Sequence, residues 1–115
     1  MSFRNSPKTL TPLKAGMTTS NEPGYYKPGA YGIRIENLLI AVEAPAQEDN
    51  GRPMLGFETI TFAPIDRRLI EVSLLTAEEI AWLDAYHAEV RSRVAPALDA
   101  AHRAWLEAAT APLPD

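Results

Sequence analysis

An α+β chain, strands first and helices last, is predicted by three observations. Residues 15–72 set β-branched and aromatic side chains between Gly and Pro breaks, as strands do. Residues 76–109 are rich in Ala, Leu, Glu and Arg, with apolar positions at helical spacing. Where the two regimes meet, Thr76 followed three residues on by Glu79 is the signature of a helix start.

The elements follow in order. Residues 1–14 are polar and proline-punctuated, an extended lead-in. A first strand is expected from about Gly16 to Glu22, stopped by Pro23-Gly24. Tyr25 to Gly29 reads as a loop with turn chemistry at Pro28-Gly29. A second strand is expected from about Tyr31 to Val42, then an exposed polar excursion from Pro45 to Pro53. A third strand is expected near Phe57 to Phe62. Leu75 and Ile80 occupy staple positions around the Thr76 cap, and Ile80, Leu83, His87, Val90 and Val94 form one apolar stripe. Pro96 breaks this helix or opens the next. Leu98, Ala101, Trp105 and Ala109 give a second stripe, and the Pro-containing tail from Ala111 cannot continue it. The expected division is therefore lead-in 1–14, strands 15–72 and helical extension 73–115.

Composition narrows the function classes. Eleven Lys and Arg against fifteen Asp and Glu leave a net charge of −4, with no basic stripe to follow phosphates, so a nucleic-acid partner is not expected. The chain has no cysteine, which removes disulfides, zinc–thiolate sites and thiol nucleophiles. The densest apolar run, Leu38 to Val42, is far too short to span a bilayer, and residues 1–7 hold no apolar core of a signal peptide. A soluble, cytoplasmic protein is expected.

Chemistry concentrates in the strand half. On a strand, Arg34 and Glu36 would share one face while Ile33 and Ile35 take the other. Such a pair is most simply a solvated surface pair. Glu22, at the end of the first strand, is most simply a turn acid. If the two strands are antiparallel neighbours, however, Glu22 and Glu36 approach each other, and a divalent cation relieves their repulsion.

Two runs carry a resemblance. Ser20-Asn21-Glu22-Pro23-Gly24-Tyr25-Tyr26 and Gly29-Ala30-Tyr31-Gly32-Ile33-Arg34-Ile35-Glu36-Asn37-Leu38 together resemble the aminopeptidase P family of pita-bread metallopeptidases. The similarity continues through Phe57 to Asp66, Leu74-Leu75-Thr76, and the helical Trp82-Leu83, Tyr86-His87 and Trp105-Leu106. The fold implied is the C-terminal part of a pita-bread domain, followed by a helical extension.

The resemblance implies removal of an N-terminal residue that precedes proline, by attack of a water bridging two divalent ions. Manganese is the expected metal, with zinc and cobalt as alternatives. Of the two Asp, one His and two Glu that hold the ions, Glu22 and Glu36 match the last two. Glu22 would also be the general base, Glu36 would bridge the ions, Arg34 would orient the carboxylates, and Tyr26 would line the substrate pocket. The remaining ligands lie upstream in the family and have no counterpart here; His87 and His102 fall in the helices, away from any ligand motif.

These residues are accordingly expected to be inactive by themselves. The alternative is a non-catalytic assembly module whose helical part gives a homo-oligomer surface. Trp82, Tyr86 and Trp105 are read first as core filling and second as that surface.

Overall fold

The computed structural model describes residues 11–45 and 53–114. Among these residues five antiparallel strands precede two α-helices: β1 (Thr18–Asn21), β2 (Gly24–Lys27), β3 (Tyr31–Arg34), β4 (Asn37–Ala44), β5 (Met54–Thr59), α1 (Ala77–Val94) and α2 (Ala100–Ala109). The α+β class and its order are those expected. Most of the lead-in and of the Pro45–Pro53 excursion lies outside the described residues.

The chain forms two compact units, one ending at Thr61 and the other beginning at Phe62. The division expected near residue 72 falls eleven positions earlier, because Phe62, Ile65, Ile70 and Val72 pack on the helical core.

In the strand unit, β1, β4 and β5 form one sheet in that order, and β2 and β3 form a two-stranded ribbon. The single strand expected over Tyr31–Val42 is thus two strands in two sheets, and the expected Tyr25–Gly29 loop is largely strand β2. Pro23 accounts for the interruption, since it has no N–H to give the ladder. The pairing nonetheless keeps its register through the gap. Asn21 stands opposite Asn37 on one side and Gly24 opposite Arg34 on the other, so Glu22 falls opposite Glu36. The Ile35 N–H donates to the Pro23 carbonyl at 3.1 Å and ties the two strands across it.

The ribbon closes through a turn in which Ala30 N–H donates to the Lys27 carbonyl at 3.1 Å. Gly29, with φ of +70°, takes the left-handed position that follows Pro28 in a type II turn. The third strand is Met54–Thr59 rather than Phe57–Phe62, because its partners are Ala44 back to Leu39.

In the helical unit, Thr76 and Glu79 form the expected capping box, Glu79 N–H donating to Thr76 Oγ1 and Thr76 N–H to the Glu79 carboxylate. The core comprises Leu83, Tyr86, Val90, Leu106 and Leu113, each side chain worth about 1.5–3 kcal/mol of burial for a Leu or Val. The second stripe is not the expected one. Leu98 is extended (φ −99°, ψ 148°), so helical phase restarts at the Asp99 cap and α2 buries Leu106 instead of Trp105. Of the three aromatics read as core, only Tyr86 is buried; Trp82 is 54% and Trp105 63% exposed. The tail is strapped down by Leu113 N–H donating to Asp84 at 2.9 Å and by Arg91 reaching Thr110 Oγ1 at 3.1 Å.

Candidate metal centre

The strand interruption at Pro23 collects the candidate side chains. Glu22 and Glu36 sit opposite each other in the gap between the sheets, and Arg34, the last residue of β3, stands beside them. The Arg34 guanidinium faces both carboxylates: Nη1 lies 3.8 Å from Glu22 Oε2 and Nε lies 3.5 Å from Glu36 Oε2. All three side chains are about half exposed, at 48% for Glu22, 51% for Arg34 and 42% for Glu36. Their apposition therefore comes from backbone register and not from burial. Arg34 and Glu36, two residues apart, come together on the expected common side, with Glu36 just beyond the end of β3.

Glu22 has a second neighbour that sequence inspection did not single out. Ser20 Oγ donates to Glu22 Oε1 at 2.7 Å. The signal was the spacing of two in an extended segment, which puts both side chains on one side of the chain.

Tyr26 has a different environment from a lined pocket. It is 61% exposed, and its ring lies over the two glycines of the ribbon. A Cβ on Gly32, its cross-strand partner, would stand 2.8 Å from Tyr26 Cδ1, and one on Gly24 would stand 2.7 Å from the Tyr26 hydroxyl. The glycines leave the floor on which the ring rests, with its hydroxyl toward the Gly24–Arg34 rung. On the opposite ribbon face, Tyr25 and Tyr31 meet at 6.0 Å between ring centres.

Carboxylate oxygens are hard donors suited to manganese and similar divalent ions. Two of them converging on one cationic group match part of such a site. Among the described residues, no group of three or more His, Cys, Asp or Glu lies together as a metal-binding set. The histidines stand apart. His87 is fully buried in α1, with Nε2 accepting from the Ile65 N–H at 3.1 Å. His102 is exposed and paired with Asp99 at 2.8 Å. A groove of about 740 Å³ in the helical unit is lined by Ile65, Arg67, Ile70, Trp105 and Leu113 among others, and by none of the candidate site residues.

Residues 53–113 match the family described as the C-terminal region of peptidase M24, and residues 2–43 match metallopeptidase family M24. The chain belongs to metallopeptidase family M24. A probable Xaa-Pro aminopeptidase P from Laccaria bicolor is 49% identical over 106 residues, covering 90% of this chain and 16% of that protein. Aminopeptidase P2 from Arabidopsis thaliana is 47% identical over 115 residues, covering 98% of the chain and 16% of that protein. The crystal structure of X-prolyl aminopeptidase from Caenorhabditis elegans, described as a cytosolic enzyme with a di-nuclear active site, is similar with a TM-score of 0.78 and 37% identity. It is matched over 88% of this chain and 17% of its own length. The chain spans about one sixth of the length of these relatives. Its antiparallel sheets followed by helices match the pita-bread peptidase neighbour.

Proposed function

We propose that this chain supplies two metal ligands and the helical extension of an aminopeptidase that cleaves the bond between an N-terminal residue and a following proline. The observation that carries this is the Glu22–Glu36 apposition, made by one register across the Pro23 gap. Two relatives named as probable Xaa-Pro aminopeptidase P, 49% and 50% identical, support the substrate class, a peptide with proline in second place. The nematode neighbour's di-nuclear site supports two metal ions in the intact enzyme; carboxylate donors suit manganese, with zinc or cobalt as alternatives. Its cytosolic character supports a cytoplasmic location; among the described residues, no helix is long and apolar enough to cross a membrane.

Each residue has a role in this scheme. Glu22 and Glu36 would hold the ions, and Glu22 would also serve as the general base, accepting a proton at its carboxylate. Arg34 would hold the two carboxylates in place through its contacts with their Oε2 atoms, and Tyr26 would border the substrate. The ions, when bound, activate water and polarise the scissile carbonyl. With two of five ligands the chain alone would be inactive.

A titration of the isotope-labelled chain with Mn2+ tests the ligand assignment. Paramagnetic broadening is expected first at Glu22 and Glu36 and lost in Glu36→Ala; broadening spread evenly over surface acids would count against it.

A second role, as an assembly surface for a homo-oligomer, is favoured by the exposure of Trp82 and Trp105. Sedimentation of wild type beside Trp105→Ala tests it, and an unchanged distribution would remove Trp105 from the surface.

A further inference from the structure

We propose that Ser20 is a positioning residue for Glu22: its hydroxyl holds Oε1 and so presents Oε2 beside Glu36. The proposal rests on Glu22 and Glu36 being metal ligands.

The two oxygens of Glu22 have different partners. Oε1 accepts from Ser20 Oγ at 2.7 Å, while Oε2 is the oxygen turned to Arg34, which also faces Glu36 Oε2. Fixing one oxygen fixes the rotation of the carboxylate, and therefore where the other points. Glu22 has little else to hold it, since its side chain is 48% exposed and Arg34 is 3.8 Å away.

The donor itself stands on a rigid element. Ser20 is a rung of the β1–β4 ladder, opposite Leu38, and its side chain emerges on the same side as that of the residue two further on. A hydroxyl donating to an ionised carboxylate forms a short, charge-assisted bond. The neighbouring hydroxyl of Thr19 does not substitute for it, as its contact is with the Ser20 carbonyl at 3.5 Å. Groups that hydrogen-bond metal-bound carboxylates orient them, and their removal weakens metal binding by about 10–100-fold.

The test is Mn2+ titration of the isotope-labelled chain, read as broadening of the Glu22 and Glu36 amide signals, for wild type, Ser20→Ala, Ser20→Thr and Glu36→Ala. The expected result is a midpoint raised about ten-fold in Ser20→Ala, with Ser20→Thr close to wild type because the hydroxyl is kept. Retained dispersion of the β1 and β4 amide signals shows that each variant is folded. If Glu36→Ala abolishes the local broadening while Ser20→Ala leaves the midpoint unchanged, the ligand assignment stands and the role of Ser20 is overturned. Failure of Ser20→Thr to restore binding overturns it as well, because the hydroxyl is then not the cause. Absence of local broadening in wild type overturns both.

Discussion

Glu22 and Glu36 turn the same oxygen, Oε2, to a single guanidinium, 3.8 and 3.5 Å away on Arg34. The arrangement is imposed by strand register, yet its three members are half exposed, so water screens their attraction. Exposed ion pairs of this kind contribute about 0–1 kcal/mol. Arg34→Ala is therefore expected to change unfolding stability by less than about 1 kcal/mol in urea titration. A larger loss would show that the strands depend on this cluster for folding.

Tyr26 and Gly32 should be energetically coupled. A methyl at Gly32 meets Tyr26 Cδ1 at 2.8 Å, close to the ring's attachment, where the side chain has little room to yield. Gly32→Ala is expected to cost about 1–3 kcal/mol by overcrowding. In a Tyr26→Ala background the same change should cost much less. Equal costs in both backgrounds would mean that the ring does not rest on this glycine.

The helical unit should lose stability in mild acid. Buried His87 accepts the Ile65 N–H at Nε2, while its Nδ1 has no partner among the described residues. Protonation removes that acceptor and places a cation in the core. Burial lowers the His87 pKa from its usual 6.5, and Arg67 and Arg91 lower it further against the opposing pull of Asp84. The unfolded chain then binds the proton more readily. Stability from this group is full above the unfolded value of about 6.5 and falls as pH drops below it, until the lower folded value is passed. Thermal melts of the wild type should show this descending limb and melts of His87→Gln should not; a limb of equal depth in both would assign it to other groups.

The Thr76 cap is expected to matter locally. Thr76→Ala removes the acceptor of the Glu79 N–H and should cost about 1 kcal/mol in urea unfolding. No measurable change would mean that the first turn of α1 is held by packing of Leu75 and Ile80 alone.

The ribbon leaves Tyr25, Tyr31 and Ile33 exposed on one face, at 59%, 54% and 45%. Contiguous apolar surface of this sort favours association. Sedimentation is expected to show concentration-dependent self-association, reduced by Tyr31→Ser. One monomeric species across the accessible concentration range would contradict this.

The sequence and the fold agree most where a local rule governs. The Thr76–Glu79 box is a local rule, and it holds atom for atom. The pairing of Glu22 with Glu36 was also legible, because two motifs joined by a short turn allow few registers. What escaped inspection were effects that local pattern does not carry. The missing N–H of Pro23 cuts the ladder on the opposite strand as well, dividing Tyr31–Val42. The extended backbone at Leu98 resets the phase of α2, which moves burial from Trp105 to Leu106. The spacing of two between Ser20 and Glu22 puts them on one side of the chain, but spacing alone does not distinguish a hydrogen-bonding hydroxyl from a solvated one.

The most direct measurement is hydrolysis of an Xaa-Pro peptide by the purified chain with Mn2+, with Glu36→Ala alongside. No turnover by either is predicted, since the proposed ligands Glu22 and Glu36 would provide only part of a ligand set. Mn2+-dependent turnover by wild type that disappears in Glu36→Ala would contradict this, and would mean that a working site forms without the upstream ligands.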